Sequence, residues 1–143
     1  RELEARYEIE LENYIKKIQI ESRVIGDLAL NHIVSTAVKY QFKLAQTAKS
    51  LHEMEMLDEA QPIKEIISEV SKHIIEIKKL TGLMTEARKA ANLESNLRTK
   101  AAQYGTEVKG FFEAIRYHID KLEVLIDDED WPLIKYRELL FIR

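Results

Sequence analysis

The 143-residue sequence contains no cysteine, four glycines and two prolines. The absence of cysteine excludes a disulfide framework, a thiolate zinc site and a cysteine nucleophile. Because glycine and proline are the strongest turn signals, their scarcity predicts few turns and long regular elements. The sequence also lacks any run of about 18 uncharged apolar residues, so it predicts no membrane-spanning helix and no membrane partner.

Charge of one sign is nowhere concentrated. The 22 basic and 25 acidic residues are interleaved and give a formal charge of −3. The only basic doublets, at 16–17, 78–79 and 88–89, each have acidic neighbours. A surface that binds nucleic acid needs a continuous basic stripe that follows the phosphate backbone. We therefore predict that nucleic acid is not a partner.

The apolar residues follow a helical pattern. In three segments they recur at spacings of four and three residues, as on a helix with one buried stripe. These segments predict long helices over about 1–54, 62–92 and 94–128. A short C-terminal helix is predicted over about 131–141, with Pro132 in its first turn. The predicted fold is all-α: an antiparallel bundle of three long helices plus the short one, forming a single domain over 1–143.

Two local signals set the boundaries of the second predicted helix. Pro62 suits its first turn, where the missing N–H is not needed. At the other end, Asn92 can adopt a left-handed conformation, and Glu94 and Ser95 can cap the next helix. The sequence therefore predicts a tight turn between the second and third helices.

The predicted helix lengths do not match. At about 1.5 Å per residue the first helix would be roughly 80 Å long, against roughly 45–50 Å for the other two. The portion from Arg1 to Arg23 would then extend beyond the bundle. Two alternatives follow: the helix breaks near Asn31–Ser35 and folds back, or the overhang packs on protein outside this chain. The stretch GDLALNHIVSTAV contains no proline or turn dipeptide, which favours the second alternative.

The N-terminal sequence RELEARYEIE has neither an initiator methionine nor a signal-peptide pattern. We interpret it as the interior of a helix in a longer polypeptide, which agrees with an overhang that packs on other protein.

Apolar residues at both chain ends are the candidate interface. Large exposed apolar patches mark interaction sites, and burying one large apolar side chain stabilises by roughly 1.5–3 kcal/mol. His32, in the most apolar part of the first helix, is a candidate for a structural or interface role. The candidates are Leu3, Tyr7, Leu11, Tyr14 and Ile18 of the overhang, His32, and Trp131, Tyr136, Leu140 and Phe141 of the tail.

The sequence offers no convincing metal or catalytic site. A di-metal carboxylate site requires Glu-x-x-His pairs, and the residues three positions before the histidines are Ala29, Lys49, Val70 and Ile115. The acidic run at 127–130 lacks the glycine and ligand spacing of a calcium loop, so we interpret it as the end of one helix and the start of the next. We predict no catalytic, cofactor-binding or metal-binding residue in this chain.

The remaining histidines have structural interpretations. His118 falls on the apolar seam of the third helix, where a polar residue can fix the pairing register. His52 and His73 fall on charged stretches and are expected to be solvated.

Four blocks of sequence resemble the C-terminal end of the type III glutamine synthetases, the large bacterial form of that enzyme. The blocks are KKIQIESRVIGDLALNHIVSTAVKYQ at 16–41, MTEARKAAN at 84–92, IRYHIDKLE at 115–123 and DDEDWPLIKYRELLF at 127–141. The resemblance implies a cytoplasmic, ring-forming parent enzyme that joins ammonia to the side-chain carboxylate of glutamate, with ATP, magnesium or manganese, and a glutamyl-phosphate intermediate.

The resemblance implies that this chain is not the catalytic part of that enzyme. The family carries its metal-binding glutamates, nucleotide site and glutamate-binding arginine in an upstream β-rich domain, and those motifs have no counterpart here. The implied role is structural or oligomerising, with the upstream catalytic domain and neighbouring subunits of the homo-oligomer as partners. Two alternatives are a free-standing helical interaction or regulatory module and an enzyme in its own right with a bound metal or cofactor.

Overall fold

The computed structural model describes residues 1–135 and Leu139. These residues are largely helical and contain no β-strand. The N-terminal long helix consists of α1 (Glu2–Asp27), a first π segment (Leu28–Val34) and α2 (Ser35–Glu53). The second long helix is α3 (Leu57–Leu93). The C-terminal long helix consists of α4 (Leu97–Gln103), a second π segment (Tyr104–Val108) and α5 (Phe111–Leu125). The all-α prediction is confirmed for this part of the chain.

The N-terminal long helix does not break near Asn31–Ser35. Asp27 and Ser35 flank the π segment, and the backbone of both is right-handed helical. Buried residues in this region recur every four positions, at Ala29, Ile33 and Ala37. In a regular α-helix such a run drifts by about 40° per step, and the wider π turn offsets this drift. The folded-back alternative is therefore wrong, because the π segment keeps one face buried without reversing the chain.

A three-residue turn links α2 to α3. The Glu55 N–H donates to the carbonyl of His52 at 3.0 Å, and the Met56 N–H donates to the carbonyl of Leu51 at 2.9 Å. Glu55 is left-handed, with φ of 61°. This pair of bonds is a Schellman motif, in which glycine is the usual left-handed residue.

The second long helix begins earlier than predicted. Its first residue is Leu57 rather than residue 62, so Pro62 lies inside the helix and not in its first turn. Proline lacks the N–H that would bond to the carbonyl of Asp58. Asp58 is exposed, so water can bond to this carbonyl instead. The prediction failed because an exposed first turn tolerates the loss of one hydrogen bond.

The turn between α3 and α4 uses a cap that the sequence analysis did not select. Asn92 is helical, and α3 ends when Glu94 becomes extended. The side chain of Asn96 accepts the N–H of Thr99 at 3.0 Å, whereas the Glu94 carboxylate accepts the N–H of Asn96 at 2.8 Å. The N-cap of α4 is therefore Asn96, and the helix starts at Leu97, later than the predicted residue 94.

The chain leaves the C-terminal long helix at Ile126, which is extended. Residues 131–135, where the short C-terminal helix was predicted to begin, are not helical. The proline at 132 explains this in part, because a residue before proline is disfavoured in the helical conformation. Tyr136, Leu140 and Phe141, and most of the predicted short helix, lie outside the described residues.

The core lies where the three long helices meet. α3 packs against α2 and α5, and α1 packs against α4 and the second π segment. The largest fully buried side chains are Tyr104, Ile18, Ile33, Ile77, Ile115, Leu122 and Ile126. Because α3 has 37 residues, longer than predicted, it covers more of the N-terminal long helix. Since α4 and the second π segment also pack against α1, the overhang is confined to the first ten residues, all of which are exposed.

Candidate docking surface and the contacts that position it

The apolar residues Leu3, Tyr7, Leu11, Tyr14 and Ile18 lie on one face of α1, which we call its seam. They become more buried toward the C-terminal end of this stretch. Leu3 is 81% exposed and Tyr7 is 43% exposed, with the guanidinium carbon of Arg98 lying 5.1 Å from the centre of the Tyr7 ring. Leu11 is half-buried against the core, and Ile18 is 1% exposed. The first two turns of α1 therefore present an exposed apolar edge, which Arg98 covers only in part at Tyr7.

A cleft of about 530 Å³ separates the start of α1 from the turn before α4. It exists because α1 continues past the turn at 94–96. Glu4, Tyr7, Glu8 and Leu11 line one side, and residues 95–98 line the other. Residues 1–12 contain five glutamates and two arginines, a side-chain charge of −3. An apolar edge flanked by carboxylates suits a partner surface that is basic with an apolar centre.

Tyr14 is partly used inside the chain. A Cβ placed on Gly105 would lie 2.6 Å from the Tyr14 hydroxyl oxygen, which is closer than a Cβ approaches any non-bonded atom. Gly105, in the second π segment, therefore allows Tyr14 to lie close to the C-terminal long helix. Tyr14 remains 40% exposed.

A polar cluster holds the three long helices together beside this surface. The amide nitrogen of Gln19 donates to Asn92 Oδ1 at 3.1 Å and to the Tyr104 hydroxyl at 2.9 Å. The Tyr104 hydroxyl donates to the same Asn92 oxygen at 2.5 Å. Tyr104 is fully buried, so its hydroxyl needs such partners. The sequence analysis missed this cluster, although a polar Gln and Asn beside apolar seams were a usable signal.

The acidic run at 127–130 forms a turn. The Asp127 side chain accepts the Glu129 N–H at 2.9 Å, and the Asp127 carbonyl accepts the N–H groups of Asp130 and Trp131. Asp130 binds Lys43 of α2 through both carboxylate oxygens at 2.7 Å. The hydrogen bond to Asp130 is the main reason that the pKa of Lys43 is raised. The turn is thus tied back to the N-terminal long helix.

A buried lysine, Lys135, holds the segment at 131–135, here called the tail, against the end of the C-terminal long helix. Lys135 is 6% exposed, and its Nζ donates to the Ile126 carbonyl and to Asp128 Oδ1, each at 2.6 Å. The same nitrogen lies 6.0 Å from the centre of the Trp131 ring, and Trp131 is 7% exposed. Lysines are rarely this buried unless paired. The sequence analysis did not select Lys135, because its burial depends on a partner seven residues away in an irregular turn.

Two histidines join α3 to α5. The Nδ1 atoms of His73 and His118 lie 2.9 Å apart, so one ring donates and the other accepts. Burial, and then the nearby His118, lower the pKa of His73. The expectation that His73 is solvated is therefore wrong, because its ring faces the neighbouring helix. His52 is exposed.

The part of the chain that the structure describes contains no group of three or more His, Asp or Glu residues placed to hold a metal ion. No helix in the same residues is long and apolar enough to cross a membrane.

A family model described as the glutamine synthetase C-terminal domain matches residues 1–52. The chain is 50% identical, over 99% of its length, to a glutamine synthetase of Bacteroides fragilis. It is 30% identical, over 99% of its length, to the type-3 glutamine synthetase of Dictyostelium discoideum, and 29% identical over 98% to a glutamine synthetase of Butyrivibrio fibrisolvens. Residues 1–52 belong to the glutamine synthetase C-terminal domain family, and the chain as a whole is similar to these glutamine synthetases. It spans about a fifth (20%) of the length of each of these relatives.

The interface candidates of this glutamine synthetase C-terminal domain fall into distinct environments. Ile18 and Trp131 are buried within the chain, and Leu11 is half-buried. His32 is not in the core: its side chain is 53% exposed and its Nε2 lies 3.8 Å from Asp27 Oδ2. The candidates left with exposed surface among the described residues are Leu3, Tyr7, Tyr14 and His32.

Proposed function

We propose that this chain is the non-catalytic, architectural domain of a glutamine synthetase, and that it docks through the first two turns of α1. The observation that carries the proposal is the exposed edge of Leu3 and Tyr7, flanked by Glu4 and Glu8, beyond the end of the bundle. A chain that spans a fifth of its relatives has most of the parent polypeptide available as a partner. The partners we propose are the upstream catalytic domain and neighbouring subunits of a homo-oligomer.

We infer that the parent polypeptide catalyses the reaction of ATP, glutamate and ammonia to glutamine, ADP and phosphate. The glutamine synthetase names of the relatives support this inference. ATP and magnesium or manganese belong to the upstream part of that polypeptide, and the location of the enzyme is the cytoplasm. The residues described here contribute surface rather than chemistry to it.

We further infer that the three long helices form one antiparallel bundle and one domain. Gln41 of α2 donates to the Ile67 carbonyl at 3.0 Å and to the Ser71 hydroxyl at 2.6 Å. Gln19 of α1 meets Asn92. From the first contact to the second, the residue number falls from 41 to 19 on the N-terminal long helix and rises from 71 to 92 on α3. The two helices therefore run in opposite directions.

The docking role is tested by Leu3→Asp and Tyr7→Asp in the full-length enzyme. A carboxylate placed in a buried apolar contact is unfavourable, so we expect smaller assemblies in analytical ultracentrifugation and lower glutamine synthesis. Because Leu3 is 81% exposed in the chain, its replacement leaves the fold of the domain intact. Val124→Asp is the matched control, since Val124 is 83% exposed and lies on α5.

The two possible outcomes separate clearly. Loss of assembly in the α1 variants, with the Val124 variant unchanged, supports docking through α1. Normal assembly size and normal activity in both α1 variants would remove this edge from the proposed interface.

A further inference from the structure

A polar crevice lies where α1, the first π segment and α3 meet. Its volume is about 260 Å³, and it is separate from the cleft beside Tyr7. Small side chains leave the space unfilled: Ser22, Gly26, Thr81 and Thr85. The charged groups on its lining are Arg23, Asp27 and Arg88.

One hydroxyl on this lining has no partner. Thr81 is 4% exposed, and its Oγ1 forms no hydrogen bond within the described part of the chain. The other two hydroxyls are satisfied: Ser22 donates to the Gln19 carbonyl and Thr85 donates to the Thr81 carbonyl, each at 2.9 Å. The Thr81 oxygen is enclosed by the surrounding chain, so this hydroxyl is an unsatisfied polar group behind the lining of the crevice.

Two arginines from different helices also lack partners. Neither Arg23 nor Arg88 has an ion pair or hydrogen bond among residues 1–135 and Leu139, unlike Lys89, which binds Glu86 at 2.8 Å. The carboxylate on the same lining is already engaged. Asp27 accepts from the Asn31 amide at 2.5 Å and lies 3.8 Å from His32. The crevice therefore carries two cations, Arg23 and Arg88, that no group in the described part of the chain neutralises.

We propose that this crevice binds the oxyanion of a small molecule, a phosphate or carboxylate group, between Arg23 and Arg88. Guanidinium groups bind both of these anions with paired, charge-assisted hydrogen bonds. The π segment adjoins the site through Leu30 and Asn31, and such segments recur at functional sites. This proposal does not rest on the docking role of α1.

Hydrogen–deuterium exchange on the full-length polypeptide tests the site locally. The probes are inorganic phosphate and acetate, each titrated through the millimolar range at constant ionic strength. We expect slower exchange in peptides that cover residues 22–31 and 81–88, with the rest of α3 unchanged. Protection by phosphate alone assigns a phosphate ligand, protection by acetate alone assigns a carboxylate ligand, and protection by both assigns a general oxyanion site.

Charge variants identify the groups responsible. Arg88→Gln and Arg23→Gln remove one guanidinium each, so we expect each to lower the affinity for the anion by about tenfold. Asp27→Asn removes the only acidic group on the lining and is expected to tighten binding by roughly threefold. Lys89→Gln is the matched control, because it removes the same charge from the adjacent position of α3 without lining the crevice.

The result that overturns the proposal is specific. The proposal is wrong if neither anion slows exchange in these peptides. It is also wrong if the protection persists in both arginine variants. In either case the crevice is only a gap left by small side chains. A failure of the assembly test on Leu3 and Tyr7 would not produce either result.

Discussion

The Nδ1 atoms of His73 and His118 lie 2.9 Å apart and form a hydrogen bond between α3 and α5. The bond requires at least one ring to be neutral at this nitrogen, because two N–H groups cannot donate to each other. Glu69 and Lys72 of α3 and Lys121 of α5 also act on His73, the glutamate raising its pKa and the lysines lowering it. Burial and His118 outweigh Glu69, so the pKa of His73 is lowered overall.

The first prediction concerns the pH dependence of stability. Because the pKa of His73 is lower in the folded chain than its ordinary value of 6.5, the unfolded chain binds more protons between these two values. The free energy of unfolding should therefore be fully retained above about pH 6.5 and fall as the pH drops through the lowered pKa. Urea denaturation of this chain between about pH 5.5 and 7.5 measures it. His73→Gln should flatten the profile, and an equally steep profile in that variant would contradict the assignment.

The second prediction concerns the buried lysine. Lys135→Met removes the contacts to Asp128 and the Ile126 carbonyl. We expect a loss of about 1–3 kcal/mol in the free energy of unfolding. Trp131 is the only tryptophan, so a shift of its fluorescence to longer wavelength reports its exposure directly. Lys49→Met is the control, because the ion pair of Lys49 with Glu53 is exposed and contributes at most about 1 kcal/mol. If the two substitutions lower the free energy of unfolding equally, Lys135 does not hold the tail in place.

The third prediction compares two glycines. A Cβ on Gly82 meets nothing within 4 Å, so Gly82→Ala should stabilise α3 by about 0.5–1 kcal/mol. A Cβ on Gly110 would lie 2.6 Å from the Thr106 carbonyl oxygen, which is backbone and cannot move aside cheaply. Gly110→Ala should therefore destabilise by about 1–3 kcal/mol. Thermal unfolding of both variants measures the difference, and a gain in stability for Gly110→Ala would contradict the close approach.

The fourth prediction concerns the turn between α2 and α3. Glu55 has φ of 61°, a conformation that costs a side chain about 1–2 kcal/mol. Glu55→Gly should stabilise the chain by up to about 1 kcal/mol, because glycine adopts this conformation without the steric cost. Glu53→Gly, at the last residue of α2, should instead destabilise it. Chemical denaturation distinguishes the two, and a loss of stability in the Glu55 variant would argue against a left-handed Glu55.

Part of this structure followed from sequence because the period of apolar residues is a local property. In the third predicted helix, Tyr104, Ile115 and Leu122 fall at the four-and-three spacing of one helix face, and all three are fully buried. The boundaries were less accurate. Pro62 and Asn92 carry true turn preferences, but a helix that packs along its whole length continues through both. Local propensity was outweighed there by tertiary packing.

The candidate interface was predicted only in outline. Leu3 and Ile18 have the same place in the apolar pattern of α1, yet one is 81% exposed and the other 1% exposed. The difference arises because α4 and the second π segment pack against the part of α1 that contains Ile18, where Gln19 donates to Tyr104, whereas Leu3 lies before that part. No pattern within α1 contains that information. Lys135, Gln19 and His73 were missed for the same reason, since each is positioned by a partner on another element or in an irregular turn.

The sequence by itself determined that the chain is helical, that it lacks cysteine chemistry, and that the face of α1 from Leu3 to Ile18 is apolar. These properties depend on residue type and on spacing along one helix. The tertiary structure decided which part of that seam is covered and which polar groups meet, as when Lys43 binds Asp130 across 87 positions of sequence. Such contacts depend on the relative lengths and register of separate helices, and therefore exist only once the chain has packed.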